Sequence, residues 1–185
     1  MRTMTRRAGL RSGLTTAAAV LATFTLAAPA APATAPTFDQ QVLERTNTLR
    51  ARHGVPPLAL DATITRWAQE WADHLASIDD FEQRNNNKYG ENAYYAWDST
   101  GATPSGADVV EGWYGQINEY VYFGREPDMN TFSRWGQFTQ VIWKKSAKMG
   151  VGRAKAANGG TYVVVNYDPP GNYRGQFAAN VPAPK

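Results

Sequence analysis

Read for the spacing of its apolar positions, the chain separates into an early helical part and a late stranded part. Thr37 and Gln40 form the ends of a capping box ahead of Val42, Leu43, Thr46 and Leu49, which predicts a helix running to about Arg52. His53-Gly54 and Pro56-Pro57 stop it. Asp61 can cap a second helix, in which Ile64, Trp67, Ala68, Trp71 and Leu75 recur at steps of three and four and give one broad apolar stripe. A polar, Asn-rich stretch from Asp79 to Lys88 predicts a loop, followed by a strand through Ala93-Tyr94-Tyr95-Ala96. A third helix is expected to begin near Ser105 or Gly106 and to place Val109, Trp113, Ile117 and Tyr120 on one face, with Gln116 projecting from that face.

From Phe123 to Trp135 the pattern is irregular, and loops of that length are usually functional or mobile. A short helix over Gly136–Trp143 follows, then two strand-like runs, Met149–Ala154 and Thr161–Tyr167, joined by the hairpin signal Asn158-Gly159-Gly160. Helices first and antiparallel strands late describe a layered α+β domain.

Composition changes the picture mainly at the N-terminus. Among 185 residues, 19 Lys plus Arg stand against 16 Asp plus Glu, but Arg2, Arg6, Arg7 and Arg11 lie in a first segment without acids. Setting those four aside leaves 15 positive against 16 negative residues. A near-neutral remainder lacks the basic face that nucleic acid binding requires. Residues 1–30 read as an export signal, with an Arg-rich start, an apolar run from Leu14 to Ala28, and Ala28 and Ala30 as a cleavage signature. The run is too short and too rich in Ala and Thr for a membrane span, so no transmembrane segment is expected after signal cleavage. Residues 31–36, alternating Ala, Pro and Thr, read as a disordered leader into a domain over 37–185.

No cysteine occurs, so the exported domain must be held by packing, and thiol catalysis and thiolate metal sites are excluded. His53 sits at the end of the first helix, where a helix C-terminus favours a cation, and His74 rides the edge of the second helix's stripe. Neither has a second His at ligand spacing, and serines such as Ser133 and Ser146 lack a visible base partner.

Several ordered motifs carry a family resemblance. Gly90-Glu91-Asn92, Trp113-Tyr114 followed by Gln116, the run Gly136 to Trp143, and Asn166-Tyr167-Asp168-Pro169-Pro170-Gly171-Asn172 resemble the signatures of the CAP superfamily of secreted proteins. The resemblance extends over about Phe38 to Val181 and includes Asn47, Arg50, His53-Gly54 and Ala68-Gln69. It implies an α-β-α sandwich with a central antiparallel sheet covered by helices on both sides. It also implies a cleft in which family members place two His and two Glu, a tetrad that in some of them holds a divalent metal. Here the four positions read Gln83, Glu91, Gln116 and Gln137.

Amides are neutral donors and acceptors, so three glutamines and one carboxylate make a poor zinc site and leave Glu91 the one group able to exchange a proton. No metal, cofactor or catalytic residue is therefore expected, and a metal-dependent hydrolase is the least favoured reading. The cluster reads either as a hydrogen-bonded core network or as a polar cavity for a neutral or hydroxylated ligand. Some CAP proteins bind lipids, and Tyr120, Tyr122, Phe123, Phe132 and Trp135 are candidate contacts for an apolar ligand of sterol or fatty-acid type, the leading expectation. The alternative is an extracellular module that binds another protein or a surface polymer through the loops over 79–88 and 123–134.

Overall fold

The computed structural model describes residues 35–82 and 84–185. The export signal expected over residues 1–30, most of the leader expected over 31–36, and Gln83 lie outside these residues. Helix α1 spans Phe38–Arg52, and its capping box is formed on both sides: Gln40 N–H donates to Thr37 Oγ1 at 3.3 Å and Thr37 N–H to Gln40 Oε1 at 2.8 Å. A two-residue strand β1, Ala59–Leu60, leads into α2, Ala62–Ile78, capped by Asp61 through the N–H groups of Thr63 and Ile64. Strand β2 (Gly90–Ala96), helix α3 (Gly106–Tyr114) and helix α4 (Gly136–Val141) precede the hairpin of β3 (Lys148–Lys155) and β4 (Thr161–Asp168). A last turn, α5, spans Phe177–Asn180.

The sheet runs β1-β3-β4-β2. Its body, β3-β4-β2, is antiparallel, and β1 adds a short parallel strand beside β3. Helix α2 covers one face. The opposite face packs Val151, Val163, Val165 and Tyr167 against residues of α1, α3 and α4 in the main core, which makes the α-β-α sandwich.

The stripe of α2 does not bury as its spacing suggests. Ile64, Ala68, Ala72 and Leu75 are buried, while Trp67 and Trp71 stand half-buried at the flank. The cause lies in β3, where a Cβ on Gly150 would stand 2.1 Å from Thr65 N and one on Gly152 2.4 Å from the Ala68 carbonyl carbon. Helix backbone and sheet approach too closely for an indole, so alanines fill the interface and the Arg84 guanidinium stacks 3.5 Å from the Trp67 ring centroid.

The C-terminal end of α4 is held by a buried cation. Arg50 is fully buried and donates to the carbonyls of Pro56, Val141, Trp143 and Ser146 at 2.8–3.0 Å. Burial pulls its pKa down to about 10, still charged at neutral pH.

His53 corrects an expectation. It is the residue after α1, yet it is only 2% exposed, and burial lowers its pKa rather than the helix end raising it. Its Nδ1 lies 2.7 Å from Pro182 O and its Nε2 2.9 Å from the Tyr114 hydroxyl. A neutral ring donating to the carbonyl and accepting from the phenol satisfies both. His74 stays partly exposed, stacked on Trp71 with Nε2 3.2 Å from Glu82.

Candidate functional site

Helix α3 ends at Tyr114, and a 3-10 turn over Gly115–Glu119 carries Gln116 toward the N-terminal end of α4. There its amide meets Gln137. Gln116 Nε2 donates to Gln137 Oε1 at 3.0 Å, and Gln116 Oε1 accepts from the backbone N–H groups of Gln137 at 3.1 Å and Phe138 at 3.4 Å. Two donors at the start of α4 that no helical carbonyl can reach are thus capped by a side chain from a neighbouring element. Gln137 Nε2 then donates to Ala93 O on β2 at 3.0 Å. Asn92, buried beside it, donates through Nδ2 to Gln137 O at 3.1 Å.

Glu91 belongs to the same hollow but to a different hydrogen-bond set. It pairs with Asn166 across β2 and β4, so the two side chains leave the sheet on one face, and Asn92 leaves on the other. Its Oε2 accepts from Asn166 Nδ2 at 3.0 Å and from Asn87 Nδ2 at 2.9 Å. Burial raises its pKa, and these two amides and the Arg84 charge partly offset the rise.

Glu91, Gln116 and Gln137 line one cavity of about 340 Å³, together with Asn92, Phe132 and Asn172 among others. A second hollow of about 480 Å³ adjoins it, sharing Glu91, Phe132 and Asn172 and reaching Tyr89, Gly171 and Tyr173. Asn172 is fixed at the seam by a left-handed φ of 62°, by donation from Nδ2 to Gly136 O at 2.8 Å, and by acceptance from Thr139 Oγ1 at 2.6 Å.

Three of the four tetrad-equivalent residues are therefore neighbours, and Gln83 lies outside the described residues. The five aromatic candidates separate. Tyr120 and Trp135 are buried in the main core, 2% and 0% exposed, with ring centroids 5.3 Å apart. Tyr122 and Phe123 are half-buried against the same core. Phe132, on a 3-10 turn over Met129–Arg134, is exposed and lines both hollows.

Asn87 and Tyr173 lie outside the family motifs and carry no signal in the sequence for a place in the site. Asn166 and Asn172 lie inside one motif, but the pairing of Asn166 with Glu91 requires the strand register. Among the described residues, no three His, Cys, Asp or Glu side chains gather in a metal-binding arrangement. The donor set of the hollow has one anionic member, and the Gln116 and Gln137 carbonyl oxygens are already occupied by protein N–H groups. These residues do not suit a zinc-like ion.

Comparison with known proteins agrees with this architecture. The sequence model of the cysteine-rich secretory protein family, CAP, matches residues 43–167. Golgi-associated plant pathogenesis-related protein 1 of Homo sapiens is 38% identical over 80% of this chain and 94% of its own length. Pathogenesis-related protein 1A of Nicotiana tabacum is 38% identical over 74% of this chain and 78% of its own. Secreted protein RBT4 of Candida albicans is 37% identical over 75% of this chain and 36% of its own. Among solved structures, BmVAL-1 superposes with a TM-score of 0.63 at 20% identity, covering 80% of this chain and 84% of that one. NaASP2, solved with Zn2+, gives 0.58 at 23% identity, covering 74% and 81%.

Proposed function

The chain belongs to the CAP, cysteine-rich secretory protein, family, and from that membership we propose that it is an exported, non-catalytic binding module whose cleft holds a neutral, hydroxyl-bearing ligand without a metal. One observation carries the reading: Gln116 and Gln137 bind each other and the surrounding backbone, where ligation would need free anionic or imidazole donors. An immobile amide pair cannot exchange protons near neutrality, and among the described residues Glu91 is the one titratable group that lines this hollow. What remains is hydrogen-bonding capacity on a rigid frame, which suits recognition more than turnover.

An apolar ligand has less support. Of the five aromatic candidates Phe132 alone lines the cleft, and Tyr120 and Trp135 are spent on the core. Export rests on the signal-like residues 1–30 and on the likeness to relatives that include one named a secreted protein. N-terminal sequencing of protein recovered from the medium is expected to start after Ala30.

The ligand reading is tested with the exported chain against two panels, monosaccharides and straight-chain fatty acids, by calorimetry with and without EDTA. Binding of a monosaccharide that EDTA leaves unchanged and Gln137→Ala weakens is the expected result. Binding confined to fatty acids, or lost with EDTA, overturns it.

A further inference from the structure

We propose that the two adjoining hollows form a groove for a neutral oligosaccharide, with one sugar ring at the Gln116–Gln137 pair and the next stacked against Tyr173 and Phe132; this rests on the hydroxyl-ligand reading above and extends it to a chain of sugars. The hollows meet at Glu91, Phe132 and Asn172, so a ligand longer than one ring has to cross that seam. Both hollows carry polar groups, and each has an aromatic ring on its wall: Phe132 lines both, and Tyr89 and Tyr173 line the second.

A sugar ring presents the same two faces. Its hydroxyls donate and accept, and its axial C–H groups form an apolar patch that packs on the negative face of an aromatic ring. The groups with spare capacity match the first requirement. Among the described residues, Gln116 Nε2 and Gln137 Nε2 each place one N–H in a protein bond and keep one over, and Glu91 Oε1 accepts no hydrogen bond because both asparagines bond to Oε2. The Ser133 hydroxyl adds a group that can serve as either donor or acceptor.

Tyr173 and Phe132 meet the second requirement, at 49% and 36% exposed. Both stand on held backbone. Phe132 packs edge-on against Trp135 at 5.2 Å and lies over Gly136, where a Cβ would approach its ring to 2.6 Å. Tyr173 follows Asn172, which is tied to Gly136 and Thr139. An aromatic wall whose backbone is fixed before binding loses little freedom on contact.

Charge excludes acidic sugars and phosphate esters as the better fit. The Glu91 carboxylate lies at the seam, and Lys88, the one cation among the described residues of the lining, has its ammonium over the rings of Trp67 and Tyr89 at 4.9 and 5.1 Å.

The test compares the exported chain's affinity for glucose and N-acetylglucosamine with that for their β-linked dimers, trimers and tetramers, by calorimetry. Affinity is expected to rise about tenfold or more from monomer to trimer in one of the two series. Tyr173→Ala, at an exposed position, is expected to remove that rise, with the melting temperature measured alongside to show that the fold is kept. Equal affinity for monomer and tetramer overturns the groove while leaving the hydroxyl-ligand reading standing. A chain-length rise that Tyr173→Ala and Phe132→Ala both leave in place also overturns it. Binding to neither series overturns the groove, and the monosaccharide and fatty-acid panels then decide the underlying reading separately.

Discussion

Gln116 and Gln137 hold each other in both directions: the side chain of the first donates to the side chain of the second at 3.0 Å and accepts from its backbone N–H at 3.1 Å. The pair joins the 3-10 turn after α3 to the start of α4, and Gln137 carries the link on to β2 through Ala93 O. Truncation at Gln116 strands two N–H groups of α4 in a partly buried site. Gln116→Ala is expected to cost about 1–3 kcal/mol in urea denaturation. Gln116→Glu keeps the acceptor but sets a carboxylate oxygen against Gln137 Oε1, so it should destabilise as well. An unchanged midpoint for both variants would show that the pair holds nothing together.

His53 makes stability depend on pH. Its folded pKa lies below the ordinary 6.5, because burial, aided by the Arg52 charge, disfavours the imidazolium more than the bond to the Pro182 carbonyl favours it. The unfolded chain therefore binds the proton more readily. The contribution is complete above pH 6.5 and is lost as pH falls from there through the lower folded pKa. Melting temperature is expected to drop between pH 7 and 5, and His53→Gln should flatten that part of the profile.

Glu91 acts with the opposite sign. Burial raises its folded pKa, so the ionised carboxylate costs stability at neutral pH and protonation relieves the cost as pH falls. Glu91→Gln removes the buried charge, and its Oε1 can still accept from Asn87 and Asn166. The variant is expected to melt at or slightly above the parent temperature at pH 7. A loss there of more than about 1 kcal/mol would mean the charge is paired better than the two amides and Arg84 account for.

Gly152 and Gly150 set the distance of α2 from the sheet. An added methyl at either meets helix backbone within 2.4 Å, and backbone cannot rotate away as a side chain can. Gly152→Ala is expected to cost about 3 kcal/mol or more, read as a lowered denaturant midpoint. The control is Gly159→Ser in the hairpin turn, where nothing lies within 4 Å but φ is +91°, so its smaller cost isolates backbone strain from crowding.

The parts of the molecule legible in the amino-acid order are those set by neighbours within a few residues. Thr37, Asp61 and Ser105 cap helices because their side chains reach N–H groups two or three positions on, and Asn158-Gly159-Gly160 turns a hairpin between two apolar runs. The ordered motifs around Glu91, Gln116 and Gln137 likewise announced one family and one cleft. What the order left open depended on partners brought from far along the chain. Trp67 and Trp71 fit the apolar stripe of α2, but Gly150 and Gly152, on a distant strand, decide that alanines face the sheet. Arg50 is part of the family resemblance, but its burial follows from four carbonyls of two other segments that surround it in the fold. Glu91 takes a hydrogen bond from Asn166 through a strand register, and none from Gln116 or Gln137 beside which the motifs place it. Periodicity and capping are local forces and leave a local record. Burial of a polar group is decided by whichever distant donor or acceptor the packed fold sets within 3 Å of it, and that distance exists only in the tertiary structure.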